Sequence, residues 1–186
     1  MPETISSDYL SKQKELHKNP NYGCASASFA PLIAGIISNF SIKSVSDYGA
    51  GKKKLHDCLV DAGSAIEEYF AYDPAFPEYG APEKADLVCC IDVLEHIEIE
   101  YIDKVLKDIA SIVRKYAFFS IHTGPAIKAL SDGRNAHIIQ APTSWWMPKL
   151  SGYFEILELR QIPSGFWVFL APKINKIAIN SLHQPR

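Results

Sequence analysis

Two glycines and two carboxylates are spaced as in a site for a nucleotide-like ligand. Gly49 and Gly51 flank Ala50, and glycines in such a turn permit positive φ and let a ligand approach the main chain closely. Asp47 precedes the pair, and Asp73 lies about 20 residues beyond it, where nucleotide-binding α/β folds place an acid for ribose hydroxyls. A helix that begins after the turn would direct free N–H groups and its positive dipole end at the ligand. The pattern therefore predicts binding of a nucleotide-like ligand over the turn.

Apolar residues along the chain predict the elements that would position this turn. Apolar runs predict strands, and apolar residues that recur at helical spacing predict helices. The last two strands are joined only by Pro163, Ser164 and Gly165, which can make an antiparallel hairpin but no parallel crossover. Residues 75–84 carry neither pattern. The predicted strands are 42–48, 66–72, 85–91, 117–122, 154–162 and 166–171, and the predicted helices are 9–17, 29–40, 55–62, 102–113 and 143–150.

Length and composition indicate an ordinary globular protein. Its 186 residues are 47% hydrophobic and 22% charged, enough for one domain with a sizeable core. We expect that domain to span 1–186, with a polar lead at 1–19 that contains one helical piece and a loosely attached tail at 173–186. The net charge of −2 argues against a nucleic-acid partner.

The remaining bulk features concern location and metals. No apolar run approaches the length of a membrane span, and the first 21 residues are too polar for a signal peptide, so we expect a cytoplasmic protein without a membrane partner. Cys24, Cys58, Cys89 and Cys90 show no metal-ligand spacing, and we expect no metal. The sequence leaves the oligomeric state open.

The ordered motifs resemble those of the class I S-adenosylmethionine (SAM)-dependent methyltransferases, in particular their small-molecule group. The turn at 47–51 is similar to their first motif, Asp73 to their ribose-binding acid, and the segment 86–97 to their fourth-strand signature. The terminal hairpin is similar to their antiparallel last strand. The resemblance covers 22–172 and implies a Rossmann-like doubly wound α/β sheet, mostly parallel, with a C-terminal antiparallel hairpin. The usual third strand would be reduced or absent, because only a short Pro/Gly-rich stretch joins Asp73 to Asp86.

The resemblance also implies a cofactor and the residues that hold it. Asp47 would help to hold the amino group of SAM, Asp73 its ribose, and Tyr22 would close over it. Pro74 would replace the adenine contacts of the missing strand. Lys53 stands where the family often has a third glycine. The full expected SAM-binding set is Tyr22, Asp47, Gly49, Ala50, Gly51, Asp73, Pro74, Ile91, Asp92 and Val93.

Methyl transfer would need a positioned acceptor and a group that takes its proton. His122 follows a predicted strand and His137 lies in the next loop; each is a candidate general base, and each has the alternative of bonding loop backbone. Arg134 and Asn135 are candidate substrate contacts. Trp145 would wall the substrate site or lie in the core.

These features favour a SAM-dependent methyltransferase that acts on oxygen or nitrogen of a small molecule. Two other classes stay open: a SAM-fold binding module without turnover, and an NAD(P)-dependent oxidoreductase, which would leave the terminal hairpin unexplained. A nucleic-acid methyltransferase is the weakest alternative, since the charge is slightly acidic.

Overall fold

The computed structural model describes residues 4–173, so the expected tail lies, beyond Lys173, outside the described residues. Within that range the chain forms five α-helices and six strands. The helices are α1 (Ser7–His17), α2 (Ala30–Asn39), α3 (Lys54–Asp61), α4 (Ile102–Ile112) and α5 (Thr143–Tyr153). The strands are β1 (Ser44–Tyr48), β2 (Glu68–Tyr72), β3 (Ala85–Ile91), β4 (Val113–His122), β5 (Phe154–Ile162) and β6 (Gly165–Pro172). Short 3₁₀ turns occupy Ala25–Phe29, Pro77–Tyr79 and Leu94–His96.

All six strands belong to one sheet, in the order β2-β1-β3-β4-β6-β5. The first four are parallel to one another, whereas β6 is antiparallel to both β4 and β5. The mixed sheet with its terminal hairpin is therefore confirmed. Between β2 and β3 the chain makes the single 3₁₀ turn Pro77–Tyr79, so β2 forms an edge of the described sheet. The additional strand that the methyltransferase family usually has between these two is absent from the described residues, which confirms that prediction.

Helices cover both faces of the sheet, as a doubly wound fold requires. One apolar cluster packs α4 and α5 onto side chains such as Cys90 and Phe119, and the other packs α2 and α3 onto Cys89 and Phe118. Both cysteines are fully buried, and neighbouring strand residues point to opposite faces. The core therefore lies in two layers on either side of the parallel strands. Among the described residues, no helix has the length and apolar character needed to cross a membrane.

Most predicted bounds lie within three residues of those observed, and two segments differ in a way that has a physical reason. Strand β4 begins at Val113 instead of 117, because Val113 pairs with Ala85 and the lysine side chain of Lys115 reaches Asp86 at 2.8 Å. Because charged residues stand near the start of this strand, the apolar pattern of the sequence marked only its later part. The other difference is α1, which is more than a helical piece in a polar lead: its Tyr9 is only 1% exposed.

Candidate active site

A cavity of about 350 Å³ lies at the carboxyl ends of the four parallel strands. Each strand contributes its last residue, the residues that directly follow it, or both, as expected for ligand crevices in open α/β sheets. Helix α1, the segment after it and the loop after β4 complete the wall. The predicted residues that line it are Tyr22, Gly49, Gly51, Asp73, Pro74, Ile91, Asp92, Val93, His122 and His137.

The glycine turn has no room for side chains. Gly49 has φ +83°, and a Cβ there would lie 2.4 Å from Cγ2 of Val93. Gly51 has φ +48°, and a Cβ there would lie 3.0 Å from the carbonyl oxygen of Gly23. Only glycine tolerates both the backbone conformation and this close approach. Glycines are thus required where β1 leads into the cavity.

The N–H groups of the turn already have partners within the protein. Those of Gly49 and Ala50 donate to the carbonyl oxygen of Tyr72 at 2.7 and 2.9 Å, and that of Gly51 donates to Asp73 at 2.9 Å. The turn therefore offers the ligand a close backbone surface, and it uses its own donors to tie β1 to the end of β2. The expectation that the first N–H groups of α3 face the ligand stays a prediction.

Asp73 is held at the rim of the turn. It is 8% exposed and accepts hydrogen bonds from the backbone N–H groups of Gly51 at 2.9 Å and Ala75 at 2.8 Å. Burial raises the pKa of Asp73, and these hydrogen bonds counteract the effect. A carboxylate oxygen has two lone pairs, so capacity remains for ligand hydroxyls.

Asp47 lies deeper than expected. It is 1% exposed, lies outside the cavity lining and accepts a hydrogen bond from the Tyr69 hydroxyl at 2.5 Å. Burial raises its pKa to about 7. Ala50 also lies outside the lining. These two residues support the turn from below, and their expected contacts with SAM would be indirect.

Helix α1 forms a cover that the sequence did not indicate. Gln13 donates to the Tyr9 hydroxyl at 2.6 Å and accepts from the Tyr22 hydroxyl at 3.0 Å. Lys52, in the turn before α3, donates to the carbonyl oxygens of Asn19 and Tyr22 at 2.9 and 2.6 Å. The segment after α1 is therefore fastened to the glycine turn. These are polar contacts between distant residues, and a helical apolar pattern does not report them.

Three histidines meet on the far side of the cavity. The ring centroid of His137 lies 4.7 Å from that of His96 and 4.6 Å from that of His122. Burial lowers the pKa of His96 to about 4 and also lowers the pKa of His137. These two imidazoles are therefore neutral at pH 7. His96, in the turn Leu94–His96, was not among the predicted site residues.

Glu95 lies fully buried beneath this group. Its Oε1 accepts from the backbone N–H of His122 at 2.6 Å, and its Oε2 has no hydrogen-bond partner among the described residues. Burial, and then the charge of Asp92, raise the pKa of Glu95 well above its usual range. In the sequence, only the tripeptide Leu94-Glu95-His96, part of the segment that resembles the methyltransferase signature, drew attention to this residue.

The expected substrate contacts lie elsewhere. Arg134 is paired with Asp132 at 2.8 Å, and Trp145 packs edge-on against Trp146 at 4.9 Å. Asn135 acts within its loop: its side-chain oxygen accepts from the backbone N–H of His137 at 2.9 Å. None of Arg134, Asn135 and Trp145 belongs to the cavity lining formed by the described residues. Asn135 alone has a direct link to the site, through the position of His137.

Comparison with solved structures identifies the fold. The chain is similar to 1,6-didemethyltoxoflavin-N1-methyltransferase of Burkholderia thailandensis, crystallised with 1,6-didemethyltoxoflavin and S-adenosylhomocysteine (SAH) (TM-score 0.60, 14% identity, 90% of this chain and 87% of that chain). It is similar to the mitomycin 7-O-methyltransferase MmcR (TM-score 0.60, 13% identity, 80% of this chain and 54% of that chain). It is also similar to an rRNA methylase from Escherichia coli (TM-score 0.52, 16% identity, 91% of this chain and 78% of that chain). The chain therefore spans about half the length of the mitomycin enzyme. No protein-family profile and no curated protein matches the sequence.

The chain thus has the class I methyltransferase fold, which confirms the resemblance drawn from the motifs. The neighbours methylate different acceptors by name, so the fold leaves the acceptor of this chain to be argued from its own site.

Proposed function

We propose that this protein is a SAM-dependent methyltransferase that transfers a methyl group to oxygen or nitrogen of a small molecule. The observation that carries the proposal is a single cavity in which the glycine turn, the Asp73 carboxylate and two neutral histidines face one another. A cofactor at the turn and an acceptor at the histidines would share that space.

The residues present fit SAM. The volume of about 350 Å³ falls within the roughly 300–1,000 Å³ usual for ligand sites. Asp73 would accept hydrogen bonds from the ribose hydroxyls, and charge-assisted bonds of this kind are roughly twice as strong as neutral ones. The backbone from Ile91 to Val93 would line the side of the cofactor, Pro74 would lie at its adenine end, and Tyr22 would cover it.

SAM supplies an electrophilic methyl group on a sulfonium sulfur; transfer breaks the S–CH₃ bond, forms an O–CH₃ or N–CH₃ bond and leaves SAH. The protein has to align the acceptor and to take its proton. His137 is suited to this task because its Nδ1 lies 2.8 Å from the carbonyl oxygen of Gly124, which leaves Nε2 with a free lone pair. His122 is the second candidate. Asn135 would hold His137, while Arg134 and Trp145 would act only on a large acceptor that reaches beyond the cavity.

Calorimetric titration with SAM and SAH tests the cofactor assignment. We expect both to bind, and we expect Asp73→Asn to weaken binding at least about tenfold, which corresponds to about 1.4 kcal/mol. Asp61→Asn is the matched control, since Asp61 is exposed at the end of α3. Failure of the wild-type protein to bind either compound at millimolar concentration would refute the proposal.

One observation favours a second candidate, a SAM-binding module without turnover. The backbone N–H groups of the glycine turn are bonded to Tyr72 and Asp73. A single 3₁₀ turn replaces the strand that the family usually has between β2 and β3, so the part of the site that would hold the nucleotide is short. Transfer of label from SAM to any acceptor would exclude this candidate.

A further inference from the structure

Asp92, His96 and His137 converge at the histidine side of the cavity. Each offers one ligand atom, a carboxylate oxygen or a ring nitrogen, and the three atoms lie within 4.8 Å of one another. Two ligands of one ion lie at most about 4.2 Å apart, twice a bond of about 2.1 Å. Side-chain shifts of less than about 1 Å would therefore close the three groups around an ion. The cysteine spacings predicted no metal, and they carry no information on these three residues.

The two imidazoles already have a tautomer that suits metal ligands. Nδ1 of His96 lies 2.8 Å from the carbonyl oxygen of Ala136, and Nδ1 of His137 lies 2.8 Å from that of Gly124. A carbonyl oxygen only accepts, so each Nδ1 carries the hydrogen and each Nε2 keeps its lone pair. Metal-binding histidines commonly donate the opposite N–H to a backbone carbonyl in this manner.

Asp92 is held in place by an uncommon backbone conformation. Its φ is +58°, in the left-handed region that few residues other than glycine, asparagine and aspartate adopt. Its N–H donates to the carbonyl oxygen and to the hydroxyl of Ser120, both at 3.1 Å. Such conformations concentrate at functional sites, and here this one turns a carboxylate at the end of β3 into the histidine cluster.

Glu95 places an unpartnered polar atom next to this cluster. Its carboxyl is fully buried beside Asp92; Oε1 accepts from the backbone N–H of His122 at 2.6 Å, whereas Oε2 has no hydrogen-bond partner among the described residues. Buried polar atoms without a partner are uncommon, and a bound ion nearby is one of the explanations for them.

We propose that Asp92, His96 and His137 bind a divalent transition-metal ion, whose open positions take a hydroxyl group of the acceptor. Two imidazoles and one carboxylate suit Zn²⁺, Mn²⁺ or Fe²⁺ better than Mg²⁺ or Ca²⁺, which prefer oxygen ligands throughout. Three protein ligands leave positions free for substrate. This inference rests on the proposed function and narrows it to O-methylation of an alcohol or a related hydroxyl compound.

The ion would act by making the hydroxyl acidic. A bound divalent ion lowers the pKa of a coordinated oxygen by several units, as it does for water. With the ion bound, the O–H bond would break with its electron pair left on oxygen, and the proton would pass to the imidazole of His122 on the cavity wall. The residue acting as base would thus be His122, while His137 becomes a ligand.

Direct metal titration tests the inference without a known acceptor. The full chain, freed of metals with a chelator, is titrated with Co²⁺ and followed by its visible absorption, with SAM calorimetry run on the same samples. We expect one ion per chain, binding that is at least about 100-fold weaker in Asp92→Asn and His137→Gln, and unchanged binding in His56→Gln, an exposed histidine on α3.

A measurement on the wild-type protein covers the case in which a variant does not fold. Pulsed electron paramagnetic resonance of the Mn²⁺-loaded protein should show two coordinated imidazole nitrogens. Absence of Co²⁺ binding, or a Mn²⁺ signal without imidazole coupling, overturns the metal site. SAM binding in the same samples would then leave the proposed function intact, whereas metal binding without SAM binding would refute the proposed function alone.

Discussion

The contact between Gly49 and Val93 predicts a large and specific steric penalty. In Gly49→Ala the new Cβ would lie 2.4 Å from Cγ2 and 2.9 Å from Cγ1 of Val93. Forcing an extra group into a packed site costs about 1–3 kcal/mol, and placing alanine at φ +83° adds about 1–2 kcal/mol. We therefore expect the free energy of unfolding to fall by about 2–5 kcal/mol, a large share of the roughly 5–15 kcal/mol of a typical domain.

A double-mutant cycle separates the two contributions. Val93→Ala removes both Cγ atoms and leaves only its Cβ at 3.2 Å from the added methyl group. In the double variant the clash should vanish while the backbone strain stays, so the coupling energy should be favourable by about 1–3 kcal/mol. Urea unfolding followed by circular dichroism at one pH measures all four proteins.

Gly35→Ala is the matched control for this cycle. Gly35 lies within α2, and a Cβ there would meet nothing within 4 Å. Alanine is favoured over glycine in a helix by about 0.8–1.0 kcal/mol, so this variant should gain stability. If Gly49→Ala and Val93→Ala are additive within about 0.5 kcal/mol, the steric explanation for the glycine is wrong.

Two further predictions concern the support of the site. Burial raises the pKa of Asp47 to about 7, so the folded state keeps this proton whereas the unfolded state loses it above about pH 4. The stability due to Asp47 is therefore fully present below about pH 4. It falls by about 1.4 kcal/mol per pH unit as the pH rises to about 7. Urea unfolding of Asp47→Asn should lack that slope, and an identical slope in both proteins would contradict the assignment. Lys52→Met removes the bonds to Asn19 and Tyr22, and we expect faster amide hydrogen exchange in the segment after α1 and SAM binding weaker by roughly threefold to tenfold. Lys54→Met, at a lysine that pairs with Asp57 on the exposed side of α3, should change neither, and equal effects in both variants would exclude a specific role for Lys52.

The sequence was sufficient where local patterns determine structure. Continuous apolar runs marked β3, and the three-residue connection at 163–165 required the antiparallel hairpin that distinguishes this sheet. The positions of Gly49, Gly51 and Asp73 at the cavity could be predicted because they depend on backbone conformation and on a fixed distance along the chain. These are short-range features, and the parallel strands then bring them to one edge.

The sequence was insufficient where long-range contacts decide. The segment after α1 is fastened at the cavity by hydrogen bonds from Lys52 to Asn19 and Tyr22, which no apolar periodicity reveals. His96 and His137 come from separate loops, which are joined by the contact of the His96 ring with the carbonyl oxygen of Ala136 and by the hydrogen bond from the N–H of Ile139 to the carbonyl oxygen of Glu95. Tryptophan and arginine are residue types that suit a substrate site, but Trp145 packs against Trp146 and Arg134 pairs with Asp132.

Methyl transfer itself is the most direct test of the central claim. The wild-type protein and Asp73→Asn are incubated with isotope-labelled SAM and a metabolite extract, and label is followed in the small-molecule, protein and nucleic-acid fractions. We predict label in the small-molecule fraction, strongly reduced in Asp73→Asn. Label confined to nucleic acid or protein, or no transfer despite SAM binding, would contradict the assignment of this protein as a small-molecule methyltransferase.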